Sequence, residues 1–386
     1  MGKRFIMSDD GKEGLAAGFR KRCRSSSMSM STSNSSSELE KRPCLLSKTD
    51  GGGRPVVYCF NLDDNSQSER NFCRRCCVEL FPFEADEWGE KPPELVGIRR
   101  LAPPSGEPTT TPDCSTAVAV GASVYVLGGA TENLENEERR VFSKKVFSID
   151  TNHPKKGWVR GPDMLTGRYV GKAVAVEGKI YVFGGLDYVS MNNNYKKARR
   201  QWGEVLDPHK NEWERLPPPP KGSRFYEYDL GYTPVVYGGP KEEKKILLGC
   251  CHYIYHVNSQ TWEKFCPKLS SFRHFGPNLT ADCNFLYWTE DGCLYSFDME
   301  TEEYAWVFIE GYRVTRYDVR EPALLHLGGT NFCLLALKDL PGDRTKVRCS
   351  KFQLSHKGGF KASIICCETF IIGHPLDVDY FYGFAR

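Results

Sequence analysis

The chain has 386 residues, 40% of them hydrophobic and 26% charged, a length that suits two ordinary domains or one domain built from repeats. Its formal net charge of +3 is too small to mark a nucleic-acid surface. No stretch reaches the roughly 18–20 apolar residues needed to span a bilayer, which excludes a helical membrane anchor within the sequence.

Residues 1–54 differ in composition from the rest. Ser25 to Ser37 is almost entirely Ser, Met, Thr and Asn, and Gly51, Gly52 and Gly53 close the segment. Such a composition cannot bury enough apolar surface to offset chain entropy, so a disordered tail is expected over 1–54, with the folded unit at 55–386. Met1 to Lys12 has no apolar core of the signal-peptide kind. Arg20, Lys21, Arg22 and Arg24 form a basic cluster that reads either as a nuclear-import signal or as a solvated tail. The expected location is cytoplasmic, nuclear or both. In that reducing setting the 16 cysteines, among them the doublets Cys250–Cys251 and Cys366–Cys367, are expected to act as small buried hydrophobes.

From residue 55 the pattern is one of short strands. Val118-Ala119-Val120 leads to Val124-Tyr125-Val126-Leu127 and then to Gly128-Gly129. The phrase returns as Val174-Ala175-Val176, Ile180-Tyr181-Val182-Phe183 and Gly184-Gly185. Each copy is a strand, a turn near Gly, and a second strand running into a glycine pair. A β-rich strand and a large aromatic residue follow at regular distances. These anchors are Trp88, Trp158, Trp213, Trp262, Trp306 and Phe360, with spacings of 70, 55, 49, 44 and 54 residues. Repeats of that size, each holding about four strands, predict the blades of a β-propeller.

The strand–Gly-Gly–Tyr/Asp–Trp phrase resembles the kelch repeat, strongly around Trp158 and Trp213 and weakly in the last three units. The wider likeness is to plant F-box/kelch-repeat proteins, although residues 1–54 carry no F-box pattern. The resemblance implies an all-β, six-bladed kelch-type propeller over 55–386. The pairs Gly238-Gly239 and Gly328-Gly329 are expected in the first hairpins of their blades. The first blade begins at Val56-Val57-Tyr58 and is one strand short. The C-terminal run Val378 to Phe384 is expected to complete it, which removes two exposed edges.

Chemistry finds little support. Cys73, Cys76 and Cys77 include a Cys-x-x-Cys without a second ligand pair, whereas zinc needs about four ligands. His252 and His256 lie four apart on an expected strand, about 13 Å from one another, and cannot chelate one ion. There is no phosphate loop and no nucleophile turn. The reading is a protein that is not an enzyme and uses no cofactor or metal.

One constellation recurs. Trp158 is followed by Arg168-Tyr169, Trp213 by Arg224-Phe225-Tyr226, Trp262 by Arg273-His274-Phe275 and Trp306 by Arg316-Tyr317, at offsets of 10, 11, 11 and 10. These pairs fall between the outer strand of one blade and the inner strand of the next. They read either as a ring that binds an acidic or polar segment of a partner protein or as arginines that pack between blades. Two insertions, Thr131 to Arg140 and Asp187 to Gln201, are expected on the same face. The functional expectation is a protein-interaction scaffold of the kelch class. Alternatives are a ubiquitin-ligase substrate receptor, with ligase components as partners, and a metal-dependent propeller enzyme.

Overall fold

The computed structural model describes residues 43–48, 55–60, 98–101, 115–132, 140–153, 156–186, 195–221, 234–239, 241–248, 253–265, 279–290, 293–310, 323–341, 344–355, 360–372 and 382–385. The described residues are almost wholly β-strand, with one short helix at Tyr195–Gln201.

The strands form five sheets of four or more strands. The first contains Pro43–Lys48, Pro55–Phe60 and Ile98–Leu101, with Tyr382–Ala385 from the other end of the chain beside Pro43–Lys48. The second is an antiparallel meander of Thr116–Val120, Ser123–Leu127, Val146–Asp150 and Val159–Arg160. The third runs Lys172–Val176, Lys179–Phe183, Gly203–Asp207 and Glu212–Arg215. The fourth runs Val235–Tyr237, Lys245–Leu248, Tyr253–His256 and Thr261–Lys264. The fifth has eight strands between Thr280 and Ile372.

The all-β propeller of kelch type is therefore present, but with five sheets where six separate blades were expected. The cause is one parallel pairing. Ile309 and Glu310, at the end of Tyr304–Glu310, pair with Ala362 and Ser363 in Lys361–Ile372 and fuse two four-stranded meanders into one sheet. The C-terminal strand does join the first sheet, in the register Pro43↔Ala385 to Leu46↔Tyr382. Its partner Pro43–Lys48 lies inside the segment expected to be a structureless tail, so that sheet starts upstream of residue 55. The first strands of successive meanders adjoin in a closed circuit: Tyr382–Ala385, Thr116–Val120, Lys172–Val176, Val235–Tyr237, Thr280–Asp282, Ala323–Gly328 and back to Tyr382–Ala385.

The core lies between sheets. Val118, Leu127 and Val146 of the second pack with Ile180, Val182 and Leu206 of the third. Phe183 and Trp202 of the third meet Tyr255 and Trp262 of the fourth, the Trp202 and Trp262 rings 5.9 Å apart and edge-on. Edge-on pairs of this kind add roughly 0.5–1.5 kcal/mol to area burial. The anchor positions share one place. Trp213, Trp262 and Trp306 stand in the outer strands, and Trp158 and Phe360 immediately precede them. Trp213 Nε1 donates to Pro162 O at 2.9 Å and Trp262 Nε1 to Pro217 O at 3.0 Å, each reaching back to the preceding meander's exit. Trp88 lies outside the described residues, and the first sheet's outer strand is Ile98–Leu101. Gly238 and Gly328-Gly329 sit in first hairpins as expected.

Candidate partner-binding face

In an antiparallel meander the second-to-third-strand connection and the exit to the next meander emerge at one end, and the two tight hairpins at the other. The long connections gather at that first end. In the second sheet the connection carries a hairpin, Ala130–Glu132 paired with Arg140–Phe142. In the third it carries the helix Tyr195–Gln201. The described parts of the two insertions lie at that end.

Arg168 sits in the exit from the second sheet and joins both insertions. Its amide donates to Ser143 O at 3.1 Å, and its carbonyl accepts from Gly129 N at 2.7 Å, so its backbone is fastened to the hairpin base. Its side chain points the other way. Nε donates to Glu204 Oε1 at 2.8 Å, Nη1 to Trp202 O at 3.1 Å and to Gly184 O, and Nη2 to Gln201 O at 2.7 Å. The guanidinium thus closes the C-terminal end of the helix, where carbonyls are otherwise left over. Glu204 Oε2 accepts from Leu165 N at 2.7 Å. Arg168 and Glu204 side chains are 1% and 0% exposed. Burial pulls the guanidinium pKa down, and the charge and hydrogen bond of Glu204 push it back up.

The glycine pairs make this knot possible. Gly128 has φ +69, and a Cβ there would stand 2.6 Å from Arg168 O. Gly185 has φ +67, and a Cβ there would stand 2.6 Å from both Tyr169 O and Gly171 N. Only glycine tolerates both the conformation and the approach. Tyr169 N donates to Gly185 O at 2.8 Å, so the Arg168-Tyr169 segment lies clamped between the two pairs. The Tyr169 ring, half-buried, stacks on Phe142 with centroids 5.5 Å apart.

Arg168 is thereby removed from the expected ring: its charge and donors are consumed inside the protein, which corrects its reading as a partner contact. Tyr169 keeps some exposure. Arg224, Phe225, Tyr226, Arg273, His274, Phe275, Arg316 and Tyr317 lie outside the described residues, as do Cys73, Cys76, Cys77 and His252. The carboxylate partner is not repeated. Glu204 stands opposite Arg215, two residues after its anchor Trp213. The same place holds Phe147 opposite Arg160, Tyr253 opposite Lys264, Cys293 opposite Phe308, and Leu354 opposite Ala362.

Sequence reasoning missed Glu204, which reads as an ordinary strand residue, and missed the exposed apolar side chains on this end. Val141 is 52% and Leu165 37% exposed. Among the described residues no group of three His, Cys, Asp or Glu is arranged to hold a metal. His256 is flanked by Glu263, 2.8 Å from Nε2, and Glu243, 3.4 Å from Nδ1, at the opposite end of the sheets. No described helix is long and apolar enough to cross a membrane.

A family model of the Kelch motif matches residues 171–220, which is the third sheet with its helix insertion. The chain carries a kelch repeat there and resembles kelch-repeat proteins. It resembles a putative F-box/kelch-repeat protein of Arabidopsis thaliana, 33% identical over 29% of this chain and 25% of that protein. A second putative F-box/kelch-repeat protein from the same plant is 33% identical over 28% and 25% of the two chains. A kelch repeat-containing protein of Arabidopsis is 30% identical over 51% of this chain and 44% of its own length. The chain thus spans about a quarter of the first two relatives and under half of the third.

Proposed function

We propose that this protein is a protein-interaction module, not an enzyme, which holds a partner protein through the end that carries the hairpin and the helix. The observation behind this reading is the Arg168–Glu204 knot. It fastens two insertions that break the repeat onto a buried, rigid base, and binding segments are found on loops held in this way. In this reading the eight-stranded sheet counts as two blades, and the remaining Arg/aromatic pairs, Arg224-Phe225-Tyr226, Arg273-His274 and Arg316-Tyr317, contact an acidic or polar segment of the partner.

Cross-linking mass spectrometry on the complex purified from cells tests it. Lysine cross-links to the partner should concentrate on Lys144, Lys196, Lys197 and Lys221. Cross-links confined to Lys156, Lys179 and Lys210, at the other end, would refute it. The names of the Arabidopsis relatives favour a second reading, a substrate receptor of a ubiquitin ligase. Co-purification of ligase subunits with the full chain supports that role; their absence from a complex that does hold the partner rejects it.

A further inference from the structure

The exit from the third meander is built unlike the exit from the second. Both open on a proline four residues after the anchor, Pro162 after Trp158 and Pro217 after Trp213. Each of these prolines accepts the next anchor's indole N–H at its carbonyl, at 2.9 and 3.0 Å. One proline meets that need, since Pro162 is followed by Asp163 and Met164. The later exit continues instead as Pro218-Pro219-Pro220-Lys221.

Four consecutive prolines leave the backbone little choice. Each ring fixes φ at about −65°, and each residue that precedes a proline is driven to an extended ψ. No described peptide bond is cis. The run from Leu216 to Pro220 therefore follows a left-handed polyproline II path with about three residues per turn. Burial repeats with the same period. Leu216 and Pro219 are buried, Pro217 and Pro220 are half-buried, and Pro218 and Lys221 are exposed. The segment is a three-edged rod that lies on one edge. Leu216 anchors that edge in the cluster of Phe183, Trp202 and Tyr255, and its amide donates to Gly203 O at 3.1 Å. Arg199, in the helix, donates Nε to Pro219 O at 2.5 Å and braces the far end. The two outward edges carry proline rings and no backbone N–H over Pro217 to Pro220, so a partner cannot pair with them as with a strand. What remains open to a partner is packing on the rings and donation to carbonyls.

We propose that Pro217, Pro218 and Pro220 form a docking ridge for a partner domain whose groove is lined by aromatic side chains. The inference rests on the interaction-module reading and narrows it, because this exit stands at the same end as the hairpin and the helix. Tyr and Trp supply both things the ridge can use, a flat apolar face for the proline rings and an O–H or N–H for a carbonyl. A rod that is already extended and held at both ends loses little freedom on binding, which favours affinity.

The test titrates a panel of dye-labelled polyproline-binding domains, of the WW and SH3 types, with the full chain and follows fluorescence polarisation. At least one domain should bind, and a synthetic peptide of residues 216–221 should compete. Affinity should fall about tenfold or more in P218A/P220A, which removes two outward rings and keeps every carbonyl. Melting temperatures of parent and variant separate lost contacts from lost folding. Should the double variant melt lower, P218E, which alters one exposed ring, decides and should weaken binding with an unchanged melt. The control K179E/K210E, at the opposite end, should bind as the parent does. Binding that ignores both proline variants overturns the proposal. If the domains that bind the free peptide all refuse the folded chain, the buried edge is the one they need and the proposal also fails. A panel without a binder overturns it too, while the module reading still stands or falls on the cross-link map.

Discussion

The buried Arg168–Glu204 pair is a sharp place to test whether a repeated arginine builds or binds. Arg168→Met keeps most of the apolar stem and removes the guanidinium. Glu204 is then left with one donor, Leu165 N at 2.7 Å, in a site with no exposed surface. The carbonyls of Gly184, Gln201 and Trp202 lose the donors they had. Stranding one member of a buried ion pair costs about 3–5 kcal/mol, and the carbonyls push the value toward the upper end. At 2–4 °C per kcal/mol the melting temperature should drop by roughly 10 °C.

Glu204→Gln keeps one acceptor oxygen, for Arg168 Nε or Leu165 N but not both, sets an amide NH2 against the other donor and leaves the buried guanidinium without its counter-charge, so it too should cost about 3–5 kcal/mol. The double change R168M/E204Q removes the stranded charge and should recover about 1–3 kcal/mol relative to Arg168→Met alone. Guanidinium denaturation followed by tryptophan fluorescence gives the three midpoints. Hydrogen exchange should show faster opening at the Gly129 and Tyr169 amides, which are bonded to or within the Arg168 segment. An Arg168→Met protein within about 0.5 kcal/mol of the parent that no longer captures its partner would refute the architectural account. A double variant no better than Arg168→Met would refute the stranded-charge explanation.

Three further outcomes follow from particular geometries. Gly185→Ala drives a Cβ to 2.6 Å from two backbone atoms, whereas Gly178→Ala, at φ +79, meets open space; the second should cost only roughly 1 kcal/mol of backbone strain and the first clearly more, so equal melting temperatures would count against the clamp. Removing residues 376–386 takes away Tyr382–Ala385 and exposes the edge of Pro43–Lys48, and the product should be insoluble or aggregated; a soluble truncation with a cooperative melt would show that closure does not depend on this strand. The Cys283 thiol, although exposed, is pushed up to about 11 by partial burial first and by the Asp282 carboxylate second, from an ordinary 9.0. Only the thiolate alkylates, so at pH 8 iodoacetamide should label Cys283 about a hundredfold more slowly than an ordinary thiol, with the rate climbing as pH rises toward 11 and increasing in Asp282→Asn. Labelling at the ordinary rate, read by mass spectrometry, would remove that environment.

The propeller was legible because its signal is local and repeated. Aromatic anchors stand in or just before the outer strands of the second to fourth sheets, and Trp213 and Trp262 bind the preceding meander's exit with the same indole-to-proline bond. The completing strand at the C-terminus was legible because a β-rich run had no other unit to join. The fusion of two meanders was not, since nothing local to Ile309 or Ala362 announces that they pair across more than fifty residues. Pro43–Lys48 was also hidden: six residues beginning with proline beside a Ser-rich run carry little strand preference, and two neighbours make the strand. At the candidate site the recurrence of Arg168 was visible but its direction was not. That direction depends on Glu204, 36 positions away, and on carbonyls that exist only once the helix has formed.

The two properties of this end separate along the repeat. What recurs in phase is the series of aromatic anchors, and the clamped Arg168 segment between two glycine pairs joins the second meander to the third, where its burial agrees with that duty. What breaks the phase is the hairpin ending at Phe142 and the helix beginning at Tyr195. Neither is required to close a meander, since the fourth sheet closes with a short connection between Leu248 and Tyr253. The fully buried Arg168–Glu204 pair fixes both segments in place, which suits the partner-binding role proposed for this end. Val141 on the hairpin and Lys196, Lys197 and Arg200 on the helix are exposed side chains that no repeat pattern would single out.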